Sequence, residues 1–316
     1  MKIKNKVKNW AKELGFSSLG FSTIEKLDEE ARKLEKWLSS GKHGSMRYME
    51  NHFDLRIDPS GFVPGAKTMI SLSFNYFPKD EALSSKDFKI ARYAYGKDYH
   101  KILRKKLKHL VALMKEELGD FSARVFVDSA PIMERVWAEK SGLGWNGKNT
   151  LLINPKHGSY FFLAEIICDI EFEETNVAIK DHCGTCTKCI DACPTDAIDE
   201  SGYILDASKC ISYLTIERKD EIPTEFEDKM NGWIFGCDIC QEVCPWNRFS
   251  QTHDEERLQP NEKLKTFEKR DWLEITNEVF DIIFEGSAVK RTKIEGLKRN
   301  IAFAERQLNS TIRGNK

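Results

Sequence analysis

The chain has 316 residues, 41% of them hydrophobic, enough for one large domain or two moderate ones with a buried core. Its 49 Lys and Arg almost balance 50 Asp and Glu, and a net charge of −1 excludes a global basic field as a sign of nucleic-acid binding. No run of about eighteen apolar residues occurs, which excludes a membrane-spanning helix. No signal-peptide pattern stands at the N-terminus, so a reducing, cytoplasmic compartment is expected and disulfides are not.

Hydrophobic periodicity predicts a helix over 2–14, with Ile3, Val7, Trp10, Ala11 and Leu14 on one face and Gly15 as its stop. A short strand follows over 16–22, then a helix over 28–40 with Leu34, Trp37 and Leu38 inward. Residues 67–77 and 90–95 are β-like, and 99–118 form a long amphipathic helix. A strand over 124–127 leads into a helix over 131–140, and strands over 150–153 and 160–167 close the first half. Strands mixed with helices predict an α/β (α+β) N-terminal domain over 1–170. The acidic stretch 169–181 reads as a linker into a cysteine-rich unit that ends near 255, and helical patterning returns over 256–316. That last segment is locally basic: residues 286–316 carry Lys290, Arg291, Lys293, Lys298, Arg299, Arg306, Arg313 and Lys316 against Glu295 and Glu305.

Chemistry concentrates in the cysteines, eight of nine falling between 183 and 244. Cys183-x2-Cys186-x2-Cys189-x3-Cys193-Pro194 is the bacterial [4Fe–4S] spacing. Cys210 and Cys237-x2-Cys240-x3-Cys244-Pro245 supply a second, irregular run. Three thiolates on one loop wrap one cluster, while the fourth, before Pro, turns to the other. The spacing therefore assigns Cys183, Cys186, Cys189 and Cys244 to one cluster, and Cys193, Cys210, Cys237 and Cys240 to a second. Structural zinc is the competing reading, but it usually takes thiolates in two C-x2-C pairs. Cys168 is left over, in an apolar strand, and reads as a buried core thiol.

Clusters deliver electrons without naming the reaction. The first half carries Ala91-Arg92-Tyr93-Ala94-Tyr95-Gly96-Lys97-Asp98-Tyr99-His100, then Val127-Asp128-Ser129-Ala130-Pro131-Ile132-Met133-Glu134-Arg135, then Ser141-Gly142-Leu143-Gly144-Trp145-Asn146-Gly147-Lys148-Asn149-Thr150. Gly286-Ser287-Ala288 and Leu297-Lys298-Arg299-Asn300 stand near the end. In this order, around a doubled cluster motif, the chain resembles the epoxyqueuosine reductases over nearly its whole length.

The resemblance implies a cobalamin-binding N-terminal domain related to reductive dehalogenases, a ferredoxin-like domain with two [4Fe–4S] clusters over 171–255, and a helical segment over 256–316 in possible contact with tRNA. It implies reduction of the epoxide of epoxyqueuosine to an alkene at the tRNA wobble position, with base-off cobalamin reduced through the clusters by an external electron donor, in a monomer. The family's proton donor falls on Asp128. Its cofactor contacts fall on Arg56 (in Arg56-Ile57-Asp58-Pro59), Asp128, Arg135, Leu152, Leu163 and Ser212. Lys290, Arg291, Lys298 and Arg299 are the expected tRNA contacts. Two departures stand out: Ala91 replaces a Cys found in some relatives, and many relatives run on past this end with helical repeats, which limits the expected grip on tRNA.

The residues alone leave several readings open. Asp128 or Ser129 can cap the following helix, whereas a proton donor needs a carboxyl raised by burial. Arg135 can be an ordinary ion-paired side chain or a fork for an amide or phosphate. His100 reads as a helix-start residue and not as a cobalt ligand. Gly142-x-Gly144-x-x-Gly147 follows a helix, which rules out the dinucleotide fingerprint and suits a loop that lets backbone approach a flat ring. A small-halide dehalogenase and a non-enzymatic electron or cobalamin carrier are the alternative functions.

Overall fold

The computed structural model describes residues 2–79, 87–173 and 179–314, with side chains through 306. Part of the acidic linker, and the side chains of Arg313 and Lys316, lie outside the described residues.

Helix α1 (Lys2–Glu13) ends where Gly15 takes φ +91°, a left-handed value that glycine adopts without strain. Strand β1 (Ser18–Thr23) follows, then α2 (Asp28–Ser39), whose first turn carries Asp28, Glu29 and Glu30 against the positive helix end. A short α3 (Phe53–Ile57) precedes β2 (Thr68–Asn75), buried along nearly its whole length. After β3 (Lys89–Ile90) comes α4 (Tyr99–Leu118), capped by Asp98. Then come β4 (Ala123–Phe126), α5 (Glu134–Lys140), β5 (Trp145–Asn146), β6 (Leu152–Ile153) and β7 (Phe161–Cys168).

Strands β1, β2, β7 and β4 form one antiparallel sheet in that order. Residues alternate across it. Ile70, Leu72, Phe74, Ala164 and Ile166 pack with Val7, Ala11, Leu103, Leu107 and Leu110 of α1 and α4. Met69 and Ile167 face the other way, toward Trp137 of α5, Leu27 and Phe126. The approach of α5 to the sheet requires Gly20, where an added Cβ would stand 1.9 Å from the Ser141 carbonyl oxygen.

The second half has short elements, α6 (Lys188–Asp191), α7 (Ile211–Ile216), β8 (Trp233–Phe235), α8 (Ile239–Glu242), α9 (Glu262–Lys265), α10 (Lys269–Leu273) and α11 (Asn277–Ile283), and then the long α12 (Lys293–Gly314). They share a second core, in which Leu214, Trp233, Ile234 and Phe235 pack with Phe284, Leu297 and Ile301.

One expectation is corrected here. Residues 90–95 do not form a strand. β3 stops at Ile90, pairs in parallel with β8, and Arg92–Ala94 turn into a single 3₁₀ coil. Phe88, Ile90, Ala91, Ala94 and Tyr95, though early in the chain, pack in the second core. Three segments distant in sequence thus build a single core around the cysteine loops, and patterning within one segment cannot reveal that.

Among the described residues, no helix is long and apolar enough to cross a membrane.

Candidate active site

The cysteine loops bring eight thiols into two neighbouring groups, held by the short helices α6 and α8. Cys183, Cys186, Cys189 and Cys244 line a cavity of about 200 Å³ with Lys148, His182 and Trp246. Burial, then the neighbouring Cys183 and Cys244, push the Cys189 thiol up to about 11. Cys193, Cys210, Cys237 and Cys240 form the inner group. There burial raises Cys210, with Cys193 beside it, and raises Cys237 and Cys240, with Cys210 beside both. Thiols that crowd together and resist ionisation unaided suit a cationic iron–sulfur core, which holds its ligands as thiolates. Cys168 is apart from both groups, fully buried in β7, and burial pushes its thiol up to about 12.

The second half is tied to the first through residues 91–98. The Ala91 N–H donates to Phe235 O at 2.8 Å, and Ala91 is buried against Gly236. Arg92 donates its backbone N–H to Asp238 Oδ2 at 2.9 Å and its guanidinium to Glu242 at 2.8 Å. The Asp98 N–H donates to Gly286 O at 2.6 Å, and Ser287 Oγ to Ala94 O at 3.3 Å. The Gly286-Ser287-Ala288 motif therefore holds the loop that precedes α4.

At the start of α4, Asp98 Oδ1 accepts from the His100 N–H at 3.0 Å and lies 2.6 Å from His100 Nδ1. His100 Nε2 reaches Asp128 Oδ2 at 3.1 Å, and the Tyr99 hydroxyl donates to the same oxygen at 3.0 Å. Tyr99 is fixed by stacking on Phe162, with ring centroids 3.9 Å apart. Asp128 itself sits at φ +56°, an uncommon value for a non-glycine residue. Its N–H donates to Glu134 Oε1 at 2.6 Å, so the loop turns back on the first residue of α5. Glu165 lies beneath, fully buried on β7. Burial, then Asp128, push the Glu134 carboxyl up to about 7; burial, then Glu134, raise that of Glu165 further.

Asp128 opens into a cavity of about 740 Å³, within the range typical of cofactor and ligand sites. Arg56, Arg135, Arg291, Tyr48 and His52 share its lining. Arg56 is buried, with one guanidinium nitrogen donating to Tyr48 O at 2.8 Å, and Arg135 donates to Thr150 O. Burial pushes the Asp128 carboxyl up, but His100 and Tyr99 outweigh it and hold it below the usual range. That corrects the expectation of a carboxyl raised by burial: the charged partner wins. Asp128 does not cap a helix side-on either, since Met133 precedes α5 and no side chain caps it.

The structure brings Asp128, Arg56 and Arg135 together, and adds Arg291, expected to be a tRNA contact but here lining the cavity and paired with Glu217 at 2.7 Å. Leu152, Leu163 and Ser212 are not in this lining. Leu152 is buried with Ala138 and Leu143, Leu163 packs against that cluster, and Ser212 lies on α7 next to Cys210. Lys290 pairs with Asp281 at 2.7 Å, and Lys298 is exposed on α12. Arg299 is a correction. Its guanidinium donates to the carbonyls of Leu214, Arg218 and Asp220 at 2.7–3.0 Å, which ties α12 to the end of α7 and leaves no open fork for a phosphate. Asn300 beside it is fully buried and donates to Thr215 O and Ile234 O, both at 2.8 Å. Sequence reasoning missed His100, Tyr99 and Glu165. The Asp98-Tyr99-His100 triplet was the available signal, but its partner lies 28 residues on.

Comparison with known proteins follows this geometry. Residues 182–247 match the family described as "4Fe-4S double cluster binding domain", and residues 56–129 match "Epoxyqueuosine reductase QueG, DUF1730". An epoxyqueuosine reductase of Leadbetterella byssophila is 57% identical over 299 residues, covering 95% of this chain and 97% of that one. A crystal structure of an epoxyqueuosine reductase with an epoxyqueuosine-modified tRNA-Tyr stem loop superposes with a TM-score of 0.87 at 32% identity, covering 96% of this chain and 80% of the other. A reductive dehalogenase shares the fold alone, at a TM-score of 0.51 and 16% identity over 95% of this chain and 38% of the other. The identity to the Leadbetterella relative spans both halves and both motif sets, and the chain belongs to the epoxyqueuosine reductases, a family of oxidoreductases with a double [4Fe–4S] domain.

Proposed function

We propose that this protein reduces the epoxide of epoxyqueuosine in a tRNA anticodon to the alkene, with Asp128 handing protons to the departing oxygen. The observation that carries this reading is the convergence of Asp128, Arg56 and Arg135 on one cavity, with the cysteine loops bonded to the segment that leads into it. Cys183, Cys186, Cys189 and Cys244 would hold one [4Fe–4S] cluster, and Cys193, Cys210, Cys237 and Cys240 the other. The cavity over Asp128 would hold base-off cobalamin, with Arg56 and Arg135 offering donors to its peripheral amides. When bound, these groups supply low-potential electrons that the protein's own side chains cannot.

The chemistry assigned to the chain itself is positional. Converting an epoxide to an alkene breaks both C–O bonds, consumes two electrons and two protons, and releases water. Asp128 faces the cavity with half of its side chain exposed, so it can meet a substrate oxygen. Both of its side-chain contacts fall on Oδ2, which leaves Oδ1 for that oxygen. Lys290 and Lys298 on the C-terminal segment would meet tRNA phosphates, whose charge favours such contacts.

The test is anaerobic purification with iron and cobalt counted, followed by reaction with an epoxyqueuosine-bearing anticodon stem loop under chemical reductant. Mass spectrometry of the digested nucleosides should show the alkene product from wild type. Asp128→Asn should keep both metals and form no product. Full activity of that variant would remove Asp128 from the reaction, and turnover of small organohalides in place of the stem loop would overturn the substrate.

A further inference from the structure

The reaction delivers two protons to one oxygen, yet a carboxyl carries only one at a time. Asp128 must therefore be reloaded within a turnover, and the group that touches it is His100. Asp98 Oδ1 engages Nδ1 at 2.6 Å and the backbone N–H of the same residue at 3.0 Å. This double hold fixes the imidazole so that Nε2 points at Asp128 Oδ2, 3.1 Å away. Tyr99 stacks on the ring at 4.1 Å between centroids and donates to the same carboxylate oxygen. The arrangement is a carboxylate–imidazole–carboxylate chain whose far end opens on the reaction cavity.

We propose that His100 is the proton store of the site: the Nε2 proton passes to Asp128 Oδ2, and Asp128 delivers a proton to the substrate oxygen. The inference rests on Asp128 being the donor. In each passage the His100 Nε2–H bond breaks as an O–H bond forms on Asp128 Oδ2. Rotation of the carboxyl group carries that proton to the substrate oxygen, where the Asp128 O–H bond breaks and the substrate O–H bond forms, leaving Asp128 ionised and a neutral imidazole that still carries its Nδ1 proton toward Asp98. The imidazole, about one-fifth exposed, regains its proton from solvent. Two passages per turnover account for the two protons that leave as water, and the electrons come from the reductant that the reduction already requires.

The charged surroundings agree with this direction. Burial opposes the imidazolium, but Asp128 and Asp98 outweigh it and push His100 up to about 9. The same contact holds Asp128 ionised, so at neutral pH the transferable proton rests on the ring. The other groups facing the chain are Glu134 behind Asp128, Arg291 across the cavity and Lys101 beside Asp98. Glu134 strengthens the imidazolium, and Arg291 favours the Asp128 carboxylate.

A purely structural role, anchoring the Asp128 loop at its positive φ, predicts different behaviour. The experiment uses the holoprotein prereduced under anaerobic conditions, with single-turnover product formation followed across pH 6 to 10. Wild type should lose rate as the His100–Asp128 pair deprotonates. His100→Gln keeps a donor for Asp128 but cannot titrate. It should be slower by about 100-fold, the lower end of what a positioned proton donor contributes, with the alkaline fall abolished and iron and cobalt contents unchanged. His100→Ala should recover about tenfold on addition of free imidazole, which replaces a proton carrier and not a wedge. Independently of turnover, NMR of labelled histidine should show the His100 ring titrating at lower pH in Asp128→Asn. A His100→Gln rate and pH profile equal to wild type, or a His100→Ala defect that imidazole does not touch, would overturn the store. Undiminished turnover by Asp128→Asn would instead overturn the donor itself.

Discussion

Replacing Asn300 with alanine tests whether the family motif in α12 acts on the clusters without touching them. The Asn300 amide donates to Thr215 O on α7 and Ile234 O on β8, each at 2.8 Å, from a fully buried position. Those two elements stand between Cys210 and Cys237 in sequence and belong to the core against which both cysteines pack, a wall of the inner thiol group. Thr215 O keeps the Thr292 hydroxyl at 3.3 Å after the substitution, so the stranded acceptor is Ile234 O. Losing these two bonds and the two that the Arg299 guanidinium donates to Asn300 Oδ1, stranding one buried carbonyl and leaving a small void should cost roughly 2–4 kcal/mol. If iron escapes only through transient opening of this wall, the open population rises about thirtyfold at the lower bound, at about 1.4 kcal/mol per tenfold. The assay is release of iron from anaerobic holoprotein to an excess of chelator in mild urea, followed by the loss of cluster absorbance. Lys298→Ala, an exposed neighbour on the same helix, is the control and should release iron at the wild-type rate. Equal release by Asn300→Ala and wild type would refute the claim that this side chain bolts α12 to the cluster wall.

Three further outcomes follow from the same geometry. Cys168→Ala should retain about eight iron atoms per chain, whereas Cys189→Ala should lose a cluster's worth, as iron analysis of anaerobic protein will read. In the buried carboxyl pair, both groups hold protons in the folded state to higher pH than in the unfolded chain, so stability is full below about pH 4 and falls as pH rises through the pair's titration. Glu165→Gln removes one of these groups, so its thermal midpoint between pH 5 and pH 8 should fall less than that of wild type; an identical fall in both would exclude the pair as the cause. Lys290→Glu with Lys298→Glu should weaken stem-loop binding and reduce its salt dependence by about one unit of slope per lost phosphate contact, measured by fluorescence titration at several salt concentrations, while Arg299→Ala should lower the thermal midpoint instead.

What the sequence made legible was periodic or covalently close. The long helix over 99–118 and the strands β2 and β7 appear with small shifts at their ends, because each buries a full face and so shows its period. The cysteine spacing is similarly local. Residues 90–95 were misread because their apolar side chains serve a core built by other segments, and no strand period is needed there. Arg299 was misread for a related reason. A basic residue on a predicted amphipathic helix looks solvated, and only the end of α7, some 80 residues earlier, shows where its donors go. His100 and Asp128 were each visible, but their contact depends on a positive φ and on the turn of the chain between α4 and α5.

Residues 90–95 and His100 lie in one stretch of chain, which bears on how the two halves work together. Residues 91–100 donate the Ala91 N–H to Phe235 O on β8, bond Asp238 between two cysteines of the inner group, accept support from the Gly286 loop, and end in the His100 contact to Asp128. The strand expected over 90–95 could make the first of these contacts, but it would lack the turn at Arg92–Ala94 that leads the chain into the start of α4. Ending β3 at Ile90 and turning through Arg92–Ala94 is what lets one short segment bond the cysteine unit at one end and Asp128 at the cavity at the other. In the proposed reaction, electron supply and proton supply would meet through about ten consecutive residues, 91–100. A substitution that loosens this segment, such as Arg92→Ala, should disturb both together, whereas His100→Gln disturbs the proton side alone.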